Sequence, residues 1–431
     1  MKTRIAPLVC WLALGLALAT AAEPKQLTLK EAQEIALRQH PRITVAELQA
    51  LAASQVVLQV RSAFLPQISS DINAVGTGDP SNTRIAAGSL GAAHAFDRAS
   101  GGLTLSQLVT DFGRTSNLTE SSRLHARATR ENAEAVRELI LVQVNAAYFT
   151  ALQAQSVVAV AEQTVATRQL VYDQVKTLTE NKLKSELDLS FAGVTLEEGK
   201  LLLAKARNDL KAASVALVNI LGYREQQDFV LAEEPMPAAV PADVSPLVTQ
   251  AMTARPELSQ MRLERDSAKR FARAERALDY PTIKIGGVAG ATPERDNSQL
   301  RSQYAAGGLF MSIPLYEGGL YAARQSEAQL KARAAEENIR DMEDNIASSV
   351  RVAWLNANYA SEKLQLTAKL LHHANIAFDL AQARYKVGAS SIVELSQAQL
   401  NKTSAEIGVA AAKYDYLTQR AFLDYQAGTL R

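Results

Sequence analysis

The sequence predicts a mainly α-helical chain of very long helices, duplicated head to tail, with a pair of alternating strands in each copy. Three observations carry this. Helix breakers are scarce: 21 glycines and 13 prolines in 431 residues make about 8% of the chain against a usual share of roughly 12%. A heptad seam runs unbroken from Ile140 to Val165. The second half of the chain repeats the landmarks of the first.

The seam in the first copy is Ile140, Val144, Ala147, Ala151, Ala154, Val158, Ala161 and Val165, with steps alternating between four and three, the mark of helices packed along a stripe. The second copy keeps the register at Ile346, Val350, Ala353, Ala357, Ala360, Leu364, Thr367 and Leu371. A second stripe through Val142, Phe149, Leu152, Ala159, Ala166 and Leu170 gives this helix neighbours on two sides. The pattern predicts a helix of about 100 Å from Gly113 to Leu178. Shorter helices over Pro41–Ala63 and Glu186–Leu221 total about 90 Å. Stacked end to end beside the long one, they make a tall wall rather than a globule.

The repeat has two offsets. Ala36 to Pro41 resembles Ala251 to Pro256 at an offset of 215. Later matches run at 206: Gly113 with Gly319, Tyr148 with Trp354, Ser185 with Ser391, Asp188 with Glu394 and Gly222 with Gly428. The expected organisation is a first repeat over residues 23–227, an inter-repeat linker over 228–245 broken by Pro235, Pro237 and Pro241, and a second repeat over 246–431. The strands fall in hairpins at about 66–110 and 281–313. Ile68, Ser70, Ile72 and Ala74 alternate with polar residues, as do Leu103 and Leu105. Ile283, Ile285, Gly287 and Ala289, and then Ala305, Gly307, Leu309, Met311 and Ile313, form matching apolar faces. Period-two alternation suits a membrane barrel strand, and a half-buried soluble hairpin reads the same way. Four strands close no barrel, and an open edge cannot face lipid, so the barrel reading requires several chains.

Lys plus Arg number 46 against 45 Asp plus Glu. That balance leaves no nucleic-acid footprint. Lys2 and Arg4, the apolar run Leu8–Ala19 and the small residues Ala19 to Ala22 make a secretory signal peptide over residues 1–22. Cys10 is the only cysteine. It precedes most of the apolar run, which excludes lipidation, and its removal leaves a chain without disulfides. After residue 22 there is no run of 18 apolar, uncharged residues, so no transmembrane helix is expected. The five histidines, His40, His94, His125, His372 and His373, contain no i,i+4 pair, and neither H-E-x-x-H nor C-x-x-C occurs. The sequence therefore predicts no catalytic residues, no metal site and no cofactor.

This order of elements behind a signal peptide resembles the TolC-type outer-membrane efflux proteins over about Leu27 to Gly428. The motifs are Tyr385-Lys386-Val387-Gly388-Ala389-Ser390-Ser391-Ile392-Val393-Glu394-Leu395, similar to that family's second tip turn, and Ile313-Pro314-Leu315-Tyr316-Glu317-Gly318-Gly319, similar to its strand-to-helix junction, with Leu108 to Gly113 as the first-copy version. The resemblance implies a homotrimer with a twelve-stranded β-barrel, four strands per chain, in the outer membrane of a Gram-negative bacterium, and a duplicated α-barrel reaching through the periplasm. It implies a passive channel of a tripartite efflux or type I secretion system, partnered by a periplasmic adaptor, an inner-membrane pump of RND, ABC or MFS type and outer-membrane lipid.

By position, Asp188 and Tyr385 match tip residues that bond across the family's periplasmic gate, and Glu394 matches a pore-lining acid. Ser390 and Gln397 stand where the family offers an arginine and a second ring acid. Lys182, Ser185, Gly388 and Ser391 fall at the tips where an adaptor docks. The competing reading is an exported, soluble coiled-coil scaffold or periplasmic adaptor.

Overall fold

The computed structural model describes residues 25–75, 84–86, 92–94, 98–295 and 302–430; the expected signal peptide with Cys10 lies outside them. Helices α1 (Leu29–Gln39) and α2 (Pro41–Arg61) lead through one 3₁₀ turn to strand β2 (Gln67–Val75). Strand β5 (Arg98–Thr110) returns to α3 (Arg114–Glu180), which turns back into α4 (Glu186–Ile220). The second copy follows as α5 (Ser245–Ala254), α6 (Pro256–Arg276), β7 (Thr282–Arg295), β8 (Gln303–Ser312), α7 (Leu320–Lys386) and α8 (Ile392–Gln426).

The duplication extends to element lengths. Helices α3 and α7 both have 67 residues, α4 and α8 both 35, and α2 and α6 both 21. At 1.5 Å per residue the long helices span about 100 Å. Equivalent residues also play equivalent parts. Ser185 and Ser391 cap the N-termini of α4 and α8. Tyr148 donates towards the Ala232 and Leu27 carbonyls (2.7 and 2.8 Å), and Trp354 donates from Nε1 to the Pro241 carbonyl (2.8 Å). Both aromatics thus tie a long helix to the middle of the chain. Gly222 (φ 86°) and Gly428 (φ 72°) close α4 and α8 in the left-handed region that side chains resist. A Cβ on Gly222 would sit 3.0 Å from the Gln39 backbone, and one on Gly428 would sit 2.9 Å from Ala254. So α4 ends against the α1–α2 joint and α8 against the α5–α6 joint, and the short helices stack end to end.

The seams are buried. Ile140, Val144, Ala151 and Ala161 of α3, and Ile346, Val350, Ala353, Ala357 and Ala360 of α7, are each 1% exposed or less. Alanine at these positions lets the backbones approach closely. The second stripe of α3 is buried at Phe149 and Leu152, yet Leu170 is 56% exposed. Helix α7 also leaves Val352, Leu355, Tyr359, Leu366 and Leu370 exposed along its length. The chain presents 27287 Å² to solvent, where a compact 46.5 kDa monomer would present about 16,000 Å². It is not a self-contained globule.

The hairpins meet in a four-stranded antiparallel sheet of order β2-β5-β7-β8. Its register puts Ile68, Ile72, Leu103, Leu105, Ile285, Ala289, Leu309 and Met311 on one face. Gln67, Ser69, Asp71, Thr104, Ser106 and Lys284 lie on the other, with Tyr304 and Phe310 laid over Gly290 and Gly286. Among the described residues, β2 and β8 each pair on one side only.

Two features depart from the sequence reading. A short parallel pair joins β1 (Lys25–Leu27) to β6 (Phe229–Leu231), inside the stretch read as a linker, and buries Leu27 and Leu231 in the central core. Strands β3 (Arg84–Ala86) and β4 (Ala92–His94) form a small antiparallel pair within the first hairpin region. By length and composition alone the 24 residues Pro41–Phe64 could cross a membrane, but Glu47, Gln49, Ser54, Gln55 and Gln59 interrupt them, so the expected absence of a run of 18 apolar, uncharged residues is not overturned. In the fold, α2 packs along α3 and continues into the sheet.

Candidate functional site

The two helical hairpins turn at one end of the wall, and their tips share a core. Val171, Val175 and Ala192 of the first hairpin pack with Phe378, Ala381, Tyr385, Ile392, Leu395 and Ala398 of the second. Each tip is a Schellman turn, in which the last helical carbonyls accept from amides beyond the helix. In the first, Leu183 N donates to Leu178 O (2.8 Å) and Lys182 N to Thr179 O (2.9 Å); in the second, Ala389 N donates to Arg384 O (2.8 Å) and Gly388 N to Tyr385 O (3.1 Å). The left-handed position is Gly388 (φ 74°) in the second tip and Lys182 (φ 55°) in the first. A side chain there costs roughly 1–2 kcal/mol.

The tip residues singled out in the sequence fall around these turns. Ser185 and Asp188 form a capping box: the Ser185 Oγ accepts from Asp188 N (3.2 Å), and the Asp188 carboxylate accepts from Ser185 N (3.2 Å) and Oγ (2.9 Å). Within the protomer Tyr385 makes no hydrogen bond to Asp188, whose Oδ2 accepts both capping bonds. Tyr385 is 8% exposed and its hydroxyl has no hydrogen-bond partner. Burial first, and then the negative charge of Asp188, push that hydroxyl's pKa up. The Lys184 ammonium lies 4.5 Å from the centre of the same ring. The Ser390 hydroxyl is buried and also without a partner. Ser391 accepts from Glu394 N (3.3 Å), and Gln397 donates to Asn401 (3.0 Å).

Sequence reasoning missed Arg384. Its Nη1 lies 3.3 Å from Glu394 Oε1, and its Nη2 donates to the Ala389 carbonyl at 3.3 Å. The two side chains stand on opposite arms of the turn, so no i,i+4 spacing betrays them. Also missed were the apolar side chains that project from the tips: Leu183, Leu187, Val387 and Val393 are 69, 66, 80 and 53% exposed. The signal was present as apolar residues inside turn sequences, where polar ones are the rule. Among the described residues no group of three or more His, Cys, Asp and Glu side chains could hold a metal ion.

The fold and sequence have known counterparts. The sequence profile described as "Outer membrane efflux protein" matches residues 33–223 and 247–429. The outer membrane protein TolC of Escherichia coli K12 is 23% identical over 406 residues, covering 88% of this chain and 78% of its own. A crystal structure of CusC superimposes with a TM-score of 0.80 at 21% identity, covering 93% of this chain and 92% of that one. A membrane protein from Pseudomonas aeruginosa gives a TM-score of 0.81 at 19% identity, with 93% of both chains covered.

Proposed function

The chain belongs to the outer membrane efflux protein family, and from that premise we propose that it is the outer-membrane channel subunit of a tripartite efflux or type I secretion system. One observation carries the reading: a four-stranded sheet with its apolar residues on one face and both edges unpaired among the described residues stands at the head of a helical wall of about 100 Å. Strands of 9–14 residues are long enough to span a bilayer. Unpaired edges cannot face hydrocarbon, so β8 of one copy pairs with β2 of the next. Three copies make twelve strands. The exposed apolar residues of α7 and α2 then pack against neighbouring protomers. A soluble scaffold would have no use for the apolar sheet face.

In this assembly the tips form the periplasmic gate. Asp188, Glu394 and Gln397 face the constriction, with the buried Tyr385 and Ser390 hydroxyls behind them as gate residues; Lys182, Ser185, Gly388 and Ser391, with Leu183 and Val387 beside them, meet a periplasmic adaptor that links the channel to an inner-membrane pump. The first structural repeat, residues 23–227, and the second, 246–431, each contribute one tip. Transport through the open tube is passive, and the residues here carry no catalysis.

Fractionation of cells that produce the full chain tests the proposal. The protein should stay with the outer membrane, require detergent for extraction and migrate as a heat-sensitive trimer. Recovery as a soluble periplasmic protein refutes it.

A further inference from the structure

The helices of the wall nearest the tips stand in a row. Helix α4 lies against α3, α3 against α8, and α8 against α7, so α4 and α7 are the two ends. On α4 the packed side is Ala206, Ala213 and Leu217; on α7 it is Val350, Ala353, Ala357 and Ala360. About half a turn round each helix runs a stripe that its own protomer leaves uncovered. On α4 it holds Leu201, Ala212 and Val215, and on α7 Val352, Leu355 and Tyr359. Every large apolar side chain among these is more than half exposed.

The two stripes match in height. The tips share one core, so both ends are measured up from Glu186, where α4 starts, and Lys386, where α7 stops. At 1.5 Å per residue Lys211 stands about 38 Å up and Glu362 about 36 Å, Ala212 about 39 Å and Tyr359 about 41 Å, Val215 about 44 Å and Leu355 about 47 Å. The helices run in opposite directions, so the three pairs follow one another in step. Each pair is complementary. Lys211 and Glu362 are exposed and have no ion-pair or hydrogen-bond partner among the described residues. A tyrosine ring stands level with an alanine. Leu355 stands level with a groove of about 580 Å³ beside Val215, lined by Lys211, Leu210, Val218, Phe229 and Leu231. The fold also says what covers the stripes. Helix α4 ends against the joint of α2, which leads to the edge strand β2, and α7 follows from the edge strand β8. The two edges of the sheet and the two ends of the wall are therefore continuous, and the occupant is a second copy of this chain.

We propose that α7 of one copy lies along α4 of the next in this single register. Leu355 enters the groove beside Val215, Tyr359 covers Ala212, and Glu362 pairs with Lys211. The inference rests on the channel reading and adds to it which residues meet. A slip of one turn towards the sheet sets Glu362 against Val215 without a counter-charge. The ion pair thus specifies the register, while the apolar contacts supply the buried area.

The test uses paired cysteines in the full chain, whose only natural cysteine, Cys10, falls in the expected signal peptide. Val215→Cys with Leu355→Cys, oxidised in outer membranes, should give covalent dimers and trimers that survive heating without reductant. Either change alone should give none. Leu201→Cys with Leu355→Cys, about 24 Å apart in height, should give none either, since a disulfide needs Cα atoms within about 7 Å. Lys211→Glu and Glu362→Lys should each lower the temperature at which the trimer comes apart by several degrees, and the two together should restore most of that loss. A heat-sensitive trimer in which the first pair stays unlinked, or in which the control pair links equally well, overturns the register and leaves the channel reading standing. Losses that simply add in the charge exchange overturn the ion pair. Recovery as a soluble monomer overturns both readings.

Discussion

Ile72 and Asn73 are adjacent in β2, and the register sends them to opposite faces: Ile72 pairs with Gly101 and Asn73 with Ser100. If the apolar face meets lipid, lysine should be costly at one position and tolerated at the next. Ile72 lies five residues into the strand. Strands tilted by about 40° advance roughly 2.6 Å per residue along the membrane normal, which puts Ile72 ~13 Å in, near the middle of an apolar band about 25 Å tall. A lysine there costs about 2–4 kcal/mol per chain. Asn73→Lys points the ammonium into the water-filled lumen and should cost under about 0.5 kcal/mol. The assay is denaturant unfolding of the reconstituted protein in vesicles, with the yield of heat-sensitive trimer as a second readout. Equal losses for the two variants, or a larger loss for Asn73→Lys, would refute the assignment of faces.

Further predictions concern the helical wall and its tips. Lys182→Gly removes a left-handed side chain that costs about 1–2 kcal/mol, less the 0.5–1 kcal/mol that glycine loses in chain entropy; protection of the first tip against hydrogen exchange should rise, and a fall would contradict the turn geometry. The Arg384–Glu394 pair is well exposed, at 59% and 43%, so Arg384→Ala should change stability by less than about 1 kcal/mol. In planar bilayers the same variant should shift the reversal potential towards cation selectivity, and an unmoved potential removes Glu394 from the pore. Tyr148→Phe strips the donor shared by the half-buried Ala232 carbonyl and the buried Leu27 carbonyl, and a loss of about 1–3 kcal/mol is expected from denaturant melts. Hydrogen bonds from Lys413 and Tyr414 hold the Glu233 carboxyl below its ordinary 4.5. A lowered folded-state pKa stabilises above the unfolded value and is lost as pH falls through the folded one. The deficit of Glu233→Gln should therefore be largest near neutral pH, begin to shrink as pH falls below the ordinary 4.5, and vanish once pH drops under the lower folded-state value; a deficit undiminished in strong acid would contradict the pairing.

The tips show how far residues alone can be read. Ser185 and Ser391 were legible because capping acts over three residues. Gly388 was legible because a left-handed turn selects glycine, while Lys182 in the equivalent place hides the turn. The Arg384–Glu394 pair was illegible: ten residues separate its members, and only the turn brings them together. The expected Asp188–Tyr385 contact followed position within a family. Within the protomer Asp188 Oδ2 serves the α4 cap, a local role that the positional match does not contain.

What the sequence decided by itself is the type, length and duplication of the elements. Apolar periods of 3.5 and 2 are properties of neighbouring residues, and so are caps and breakers, so the long helices and alternating strands stand written in the chain. Which strand lies beside which was a tertiary decision: β5 of the first copy against β7 of the second at the sheet's centre, β1 against β6 across the middle of the chain. The two unpaired edges of the sheet were decided there too. These pairings join segments far apart in sequence, and their free energy comes from surfaces that exist only once the long helices have folded against each other.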